Sequence, residues 1–252
     1  MWKDDITKEI EKKRLKIRKD EDLFETVEEV FDTRTLMALY RVINKGIISE
    51  MRGVVKSGKE SRIYWAKDKN DNDLAVKIYL TSSMEFRKSI FQYIQGDPRF
   101  KVVKDYRKII YTWAQKEFKN LQIAYEVNVP VPKPIYVYEN ILVMEFIGEN
   151  GVPAPLLKDL PIINIELFDQ TLDAIKKLYN KAKLIHADLS EYNIMVNNNK
   201  IYIIDFGQAV TIEHPMSYEF LLRDIKNILR FFKKNGIEVP DDEVIIKWIK
   251  EV

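Results

Sequence analysis

Three polar side chains in two short stretches of the sequence have the chemistry of a phosphoryl-transfer site. Asp188 and Asn193 lie in the stretch that begins at His186, and Asp205 opens an Asp-Phe-Gly tripeptide. One Asp can orient an attacking hydroxyl, while an Asn and a second Asp can hold a metal ion on nucleotide phosphates. Each residue alone would be an ordinary turn or strand-end residue. The joint pattern is too long to be expected by chance, and it favours the catalytic interpretation.

The elements that must position these side chains are two strand-like runs. Lys183 to Ile185 precedes the first stretch, and Lys200 to Ile204 leads directly into Asp205. A hairpin formed by these two runs would bring Asp188, Asn193 and Asp205 to one end of the strands. We therefore predict that pairing.

A lysine in an apolar strand is the next candidate. Lys77 lies within the run 74–79, where burial of an unpaired ammonium would cost several kcal/mol. A carboxylate and the phosphates of a nucleotide would offset that cost. A strong helix predicted from Ile109 to Glu126 is expected to supply the carboxylate. Glu117 is the preferred partner because it can face the strands, and periodicity leaves Glu126 as the alternative.

The turn between the first two predicted strands resembles a loop over phosphates in its position only. It contains a single glycine, Gly58, so it is neither a Walker A loop nor a Gly-x-Gly-x-x-Gly loop. Ser57, Lys59 and Ser61 could replace bare backbone with side-chain donors. The same residues also suit a plain polar turn.

The last strand of the first half ends where an adenine ring would bind. The Glu145 carbonyl and the Ile147 amide are candidates for pairing with adenine, with Met144 shaping the back of the pocket. A core strand that simply leads into a linker would have the same sequence.

Composition limits the class of protein. The chain has 252 residues, 46% of them hydrophobic and 32% charged, with a formal net charge of +2 and no cysteine. Near-balanced charge argues against nucleic-acid binding driven by bulk charge, and the lack of cysteine excludes disulfides and thiolate metal sites. We expect a soluble cytoplasmic protein without a membrane segment.

The elements predict an α+β, bilobal fold with a cleft between a strand-rich first half and a helix-rich second half. The expected divisions are an N-terminal helical extension at 1–50, a first lobe at 51–148 and a second lobe at 149–252. Asp32 or Thr33 is expected to cap a helix that ends near Gly46. On a C-terminal helix, Asp224 either hydrogen-bonds the backbone of the Asp188 loop or lies on a solvated face.

Taken together, these motifs resemble the RIO family of atypical protein kinases, and the type-1 branch in particular. The motifs that carry the resemblance are 57–60, 75–79, 116–121, 142–148, 153–155, 186–193, 205–210 and 223–224. They extend over nearly the whole chain, and the stretch 187–193 is the most specific.

The resemblance implies a trimmed bilobal kinase fold that uses ATP and Mg²⁺, with Mn²⁺ as an alternative metal. It implies Asp188 as the catalytic residue, Asn193 and Asp205 as metal ligands, and Lys77 as the ATP lysine. Family members autophosphorylate on serine and act in maturation of the small ribosomal subunit. Some behave as ATPases that phosphorylate the metal-binding Asp, which would make Asp205 a transient phosphate acceptor. The implied partners are a pre-40S or 30S particle or its rRNA, and the expected state is a monomer or weak oligomer.

Two other functions remain open from the sequence. A small-molecule phosphotransferase shares the Asp188, Asn193 and Asp205 pattern, although the loop at Gly58 and the segment 190–192 argue against it. A nucleotide-gated binding module on the pre-ribosome would use the same residues with little turnover. The short stretch after Asp205 lacks a long activation loop, so phosphorylation of protein substrates in trans is doubtful. Basic clusters at 8–19, 87–88, 101–108 and 233–234 are candidates for an RNA-facing patch.

Overall fold

The computed structural model describes residues 31–81, 90, 92–100 and 105–251. Its first half contains α1 (Thr33–Asn44), β1 (Glu50–Ser57), β2 (Ser61–Lys67), β3 (Asp73–Tyr79), α2 (Tyr106–Glu126), β4 (Pro134–Tyr138) and β5 (Ile141–Glu145). The second half contains β6 (Gly148–Glu149), β7 (Val152–Pro153), a 3₁₀ turn (Leu157–Asp159), α3 (Ile165–Lys177) continued by a π turn (Leu178–Ala182), β8 (Leu184–Ile185), β9 (Ile194–Asn197), β10 (Lys200–Ile203), β11 (Val210–Thr211), α4 (Ser217–Lys234) and α5 (Asp242–Lys250). The part of the predicted N-terminal helical extension that precedes Phe31 lies outside the described residues.

The first half is built on a five-stranded antiparallel sheet with the strand order β1-β2-β3-β5-β4. Successive residues of a strand point to opposite faces. Leu74, Val76 and Ile78 of β3 therefore pack in the core under α1, while Ala75 and Lys77 point to the other face. That second face is covered by α2 and turned towards the second half. The alternation places Lys77 on the cleft side of the sheet.

Helix α1 is fixed to the rest of the molecule through its cap. Asp32 accepts hydrogen bonds from the backbone amides of Arg34 and Thr35, at 3.0 and 3.2 Å, as the sequence predicted for a helix start here. The same carboxylate accepts from Thr81 Oγ1 at 2.7 Å and from Arg107 Nη1 at 3.0 Å. One carboxylate thus joins α1, the end of β3 and the first turn of α2.

The predicted hairpin between the runs at Lys183 and Lys200 is wrong. β10 pairs with β9, which joins Ile203 to Ile194, and β8 pairs instead with β11. Asn198 and Asn199, between β9 and β10, both have positive φ, at 51° and 58°. Such a two-residue turn matches the twist of adjacent strands, so the chain folds back locally instead of reaching β8.

The second half is mainly helical around one apolar core that continues into the first half. Phe168 of α3 contacts Phe232 of α4, with ring centroids 5.0 Å apart, and Ile249 of α5 is buried in the same cluster. Among the described helices, none is both long enough and apolar enough to cross a bilayer. The observed sheet and helices agree with the predicted trimmed, bilobal, kinase-like α+β fold.

Candidate active site

A buried ion pair joins the sheet to α2. Lys77 Nζ donates to both carboxylate oxygens of Glu117, each at 2.9 Å, and to Asp205 Oδ1 at 2.9 Å. Lys77 is 6% exposed and Glu117 is fully buried. The predicted contact between Lys77 and Glu117 is therefore confirmed, and the alternative Glu126 has no such contact with Lys77.

The charges of this triad act on one another. Burial alone would lower the pKa of Lys77, but the charges of Asp205 and Glu117 raise it above its usual value. The Lys77 charge lowers the pKa of Asp205. Burial raises the pKa of Glu117 to about 7, while the Lys77 charge acts to lower it, and both Glu117 oxygens accept from the ammonium. An ammonium donor binds an ionised carboxylate more strongly than a neutral acid, so Lys77 and Glu117 form a charged pair.

Asp205 has an unusual backbone conformation directed at the cleft. Its φ is +67°, in the left-handed region where residues other than glycine store strain of order 1–3 kcal/mol. Although many protein atoms surround the carboxylate, 53% of the side chain is accessible because it faces the open cleft. The adjacent residues must hold this conformation, since it is not the intrinsic preference of the chain.

The β9–β10 hairpin brings Asn193 and Asp205 together. The carbonyl of Asn193 accepts a hydrogen bond from the Ile204 amide at 2.9 Å, directly before Asp205. Asn193 Nδ2 donates to the Asp188 carbonyl at 2.8 Å and reaches Asp188 Oδ2 at 3.4 Å. Asn193 is thereby fixed between the two aspartates. Burial and the Asp205 charge raise the pKa of Asp188.

Gln208 is a site residue that the sequence did not identify. Its Nε2 donates to Asp188 Oδ2 at 3.2 Å. Gln208 lies within the motif 205–210, but that motif does not indicate the contact, which depends on the path of the chain after Phe206. A neutral donor here orients the Asp188 carboxylate without supplying a counter-charge.

The loop that carries Asp188 is held from below by α4. Asp224, 2% exposed, accepts from the amides of Ala187 and Leu189 at 2.8 and 2.9 Å. Arg223 donates to the Ala187 carbonyl. Ala187 has a φ of +65°, which these contacts stabilise. Of the two interpretations of Asp224, the hydrogen bond to this loop is confirmed.

His186 is a structural residue of the site. It is 2% exposed, and its Nε2 lies 3.0 Å from the Ile204 carbonyl, to which a protonated ring nitrogen donates. Burial lowers the pKa of His186 to about 4. The ring therefore has no charge at neutral pH, and its edge packs against Phe206.

A cavity of about 400 Å³ lies between the two halves of the molecule. Its lining includes most of the predicted nucleotide and metal residues: Ser61, Lys77, Glu117, Met144, Glu145, Ile147, Asn193 and Asp205. Lys56 and Gly58 line it where Ser57 and Lys59 were expected, and the wall is completed by the segment 153–156. A cavity of this size and mixed lining suits a nucleotide.

The donor set fits a hard divalent cation. Asn193 turns its amino group to Asp188, which leaves its amide oxygen free of that contact, and Asp205 offers a carboxylate in the same cavity. Mg²⁺ prefers oxygen ligands and is often bound by one or two carboxylates together with substrate phosphates. Within the described residues no cluster of three His, Cys, Asp or Glu could hold a metal on its own. Water molecules and substrate phosphate oxygens would supply the remaining ligands of a metal held here.

Comparison with known proteins identifies relatives over most of the chain. Residues 62–245 match the family described as the RIO domain. The chain is 39% identical over 241 residues to serine/threonine-protein kinase RIO1 of Caenorhabditis elegans, covering 93% of this chain and 47% of the relative. It is 41% identical over 233 residues to the RIO-type serine/threonine-protein kinase Rio1 of Methanocaldococcus jannaschii, covering 92% and 78%. The chain therefore spans about half of the nematode relative and most of the archaeal one.

A solved structure has a similar fold. The Rio2 kinase–ADP/Mg²⁺–phosphoaspartate complex from Chaetomium thermophilum superposes with a TM-score of 0.64 at 22% identity, covering 86% of this chain and 66% of that chain. At this level of identity the likeness establishes the fold only.

Proposed function

Because this chain belongs to the RIO domain family, we propose that it is an ATP- and Mg²⁺-dependent atypical serine/threonine protein kinase that also hydrolyses ATP. The observation that carries the proposal is the position of Lys77 Nζ, 2.9 Å from both Glu117 and Asp205 on the wall of the interlobe cavity. The relatives are named serine/threonine-protein kinases, and the Rio2 structure contains ADP and Mg²⁺. These names support the same chemistry and the same cofactors here.

The polar residues predicted for the site have separate roles in the proposal. Lys77, fixed by Glu117, holds the nucleotide phosphates, and Asn193 and Asp205 hold the metal. Bound Mg²⁺ would neutralise charge on the phosphates. Asp188 accepts a hydrogen bond from the attacking hydroxyl or water and orients it in line with the γ-phosphorus.

The nucleotide base and the phosphate tail have proposed contacts of their own. Met144, Glu145 and Ile147 line the cavity at the junction of the two halves, which is consistent with binding of adenine there. Ser61 lines the cavity as well, and Ser57 and Lys59 are proposed to reach the phosphates from the adjoining turn.

Asp205 is also the proposed acceptor in ATP hydrolysis. One carboxylate oxygen would attack the γ-phosphorus while the bond to the β–γ bridging oxygen breaks and ADP leaves. Water would then cleave the acyl phosphate and release inorganic phosphate and free Asp205. The Rio2 structure contains a phosphoaspartate, which supports this route by family likeness.

The proposed setting is maturation of the small ribosomal subunit in the cytoplasm, with a pre-40S or 30S particle or its rRNA as partner. Only the segment 208–216 separates Asp-Phe-Gly from α4. No room is left there for a long peptide-docking segment, and this favours an ATPase cycle over phosphorylation of protein substrates in trans. A nucleotide-gated binding module with little turnover is the second candidate that this feature supports.

The test is incubation with [γ-³²P]ATP and Mg²⁺, comparing the wild-type protein with Asp188→Ala. Free phosphate and protein-bound label are both followed, and the label is tested for stability to acid and to hydroxylamine. Acid-stable label on serine, reduced about 10²–10⁴-fold in Asp188→Ala, would support a protein kinase. Hydroxylamine-labile label with released phosphate would support the aspartyl-phosphate ATPase. If ATP binds but neither protein-bound label nor phosphate release is detected, the result would support the nucleotide-gated binding module.

A further inference from the structure

Helix α2 contacts the segment that follows Asp205 as well as Lys77. Trp113, Lys116 and Asn120 are spaced at i, i+3 and i+7, so they lie on one face of the helix. Glu117, one residue after Lys116, binds Lys77. The same two turns of α2 therefore contact both Lys77 and the segment that follows Asp205.

The contacts on that face are made with backbone carbonyl groups. Lys116 Nζ donates to the Gly207 carbonyl at 3.0 Å and also to the Ala209 carbonyl. Asn120 Nδ2 donates to the carbonyls of Phe206 and Ala209, both at 2.9 Å. Lys116 and Asn120 are both fully buried. Three of the four carbonyls directly after Asp205 thus accept from α2.

Packing around Gly207 fits the same picture. A Cβ placed on Gly207 would come 2.8 Å from the Trp113 ring, so only glycine permits this close approach of the segment to the helix. Earlier in the chain, Arg99 Nη2 donates to Asn120 Oδ1 at 2.8 Å, and Arg99 is itself bound to Asp97 at 2.6 Å. The orientation of the Asn120 amide is fixed by this second contact, because its oxygen accepts from Arg99 while its amino group faces the carbonyls.

A lysine buried among carbonyl groups needs a reason. The Lys116 ammonium has no carboxylate within hydrogen-bond distance among the described residues, and burial of such a group is costly unless it is paired. A buried apolar side chain would avoid this cost but would leave the Gly207 carbonyl without this donor. What only a donor can do here is fix the carbonyls of the segment whose first residue, Asp205, has the strained φ of +67°.

We propose that Lys116 and Asn120 are positioning residues that hold the Asp205 carboxylate towards the cleft by fixing the carbonyls of residues 206, 207 and 209. The proposal rests on the proposed role of Asp205 as a metal ligand. Since α2 also carries Glu117, Lys77 and Asp205 are positioned by one rigid element. A movement of α2 would then change the Lys77–Glu117 ion pair and the position of the Asp205 carboxylate together.

The experiment measures ADP affinity with and without Mg²⁺ for Lys116→Met, with Lys119→Met as the matched control. Lys119 lies on the same helix and is exposed, and its ammonium lies over the Phe100 ring, 5.8 Å from the ring centroid. In Lys116→Met we expect the Mg²⁺-dependent gain in ADP affinity to fall at least 10-fold, while affinity without Mg²⁺ changes less than 2-fold. Lys116→Gln, which keeps a donor, should recover part of the gain, and Lys119→Met should match the wild type.

A second measurement separates positioning from general loss of stability. Amide hydrogen exchange of residues 205–210 should accelerate in Lys116→Met, while exchange of residues 187–189, held by Asp224, stays at the wild-type rate. If Lys116→Met does not fold, Asn120→Ala removes two of the four bonds and is measured in the same way. An Mg²⁺ gain equal to that of the wild type in either folded variant would overturn the positioning role. If Mg²⁺ does not increase the ADP affinity of the wild-type protein, the proposed function itself would be contradicted.

Discussion

His186 is a buried, titratable residue that connects the Asp188 loop to the segment around Asp205. It follows β8, packs against Phe206 and binds the Ile204 carbonyl directly before Asp205. A charge on this ring would have to be accommodated in a residue that is only 2% exposed. Burial therefore keeps the ring neutral, and the folded protein resists its protonation.

This gives a prediction for stability against pH. The folded pKa of His186, about 4, lies below the usual value of 6.5, so the unfolded chain binds more protons between these pH values. The free energy of unfolding should thus fall as the pH falls from about 6.5 to 4, by up to about 3 kcal/mol from this residue. Urea denaturation at pH 7, 6 and 5 measures it. At pH 7 the His186→Gln variant should have a free energy of unfolding about 1 kcal/mol lower than that of the wild type, because the hydrogen bond to the Ile204 carbonyl is lost. Its free energy of unfolding should fall less steeply than that of the wild type as the pH is lowered. Parallel curves for the two proteins would contradict the assignment, since His214 is present in both.

Residue-level prediction from the sequence succeeded where one side chain demanded a partner. Lys77 in an apolar strand needs a carboxylate, and Glu117 could be selected because it lies on a strong amphipathic helix. The contact of Asp224 with the Asp188 loop was one of two interpretations and is the one observed. Gln208, Lys116 and Asn120 lie within the motifs 116–121 and 205–210, but their roles could not be predicted from them. Their contacts depend on the path of the backbone after Asp205, which those motifs do not record.

At the scale of elements, the short strands of the second half were the weak point of sequence reasoning. The five-stranded sheet was predictable because each strand has an apolar run bounded by polar turns. β9 has only four residues, and β8 and β11 have two each, too few for alternation to distinguish strand from loop. The Asn-Asn turn at 198–199 was the one local signal that would have corrected the hairpin.

The β6–β7 hairpin leads into the cavity wall, and its effect on the shape of the cavity can be tested. Gly151 at its tip has a φ of +80°, and a Cβ there would come 2.4 Å from the Trp65 ring. Gly151→Ala should therefore destabilise the protein by about 1–3 kcal/mol and weaken ATP binding, because residues 153–155 of the cavity wall follow this turn. Thermal unfolding and ATP titration measure the two effects. Gly53→Ala is the matched control, since nothing lies within 4 Å of a Cβ there. Equal behaviour of the two variants would show that the hairpin does not shape the pocket.

At the scale of the whole molecule, charge bears on the proposed RNA partner. The formal net charge is +2, so any RNA affinity must come from local clusters. Of these, 8–19, 87–88 and 101–104 lie outside the described residues, while Lys233 and Lys234 are exposed at the end of α4.

If the clusters bind rRNA, log affinity for a small-subunit rRNA fragment should fall linearly with log salt concentration. The slope should be about −0.7 to −0.9 for each phosphate contacted. Fluorescence anisotropy between 50 and 300 mM KCl measures it. Substitution of Lys233 and Lys234 by Gln should reduce the slope by about 1–2, and Lys247→Gln with Lys250→Gln on α5 provides a charge-matched control. A flat response to salt would exclude the electrostatic patch.

The two lobes meet at a cavity where a lysine of the sheet, a glutamate of α2 and an aspartate of the second half are joined by contacts of 2.9 Å. The central claim is that Asp205 holds Mg²⁺ on ATP in this cavity, whereas Asp188 acts on the attacking group. Calorimetric titration of ATP with and without Mg²⁺, for wild type, Asp205→Ala and Asp188→Ala, tests the claim most directly. We expect Asp205→Ala to abolish the Mg²⁺-dependent gain in ATP affinity and Asp188→Ala to retain most of it. Equal loss of the gain in both variants, or its retention in Asp205→Ala, would contradict the assignment.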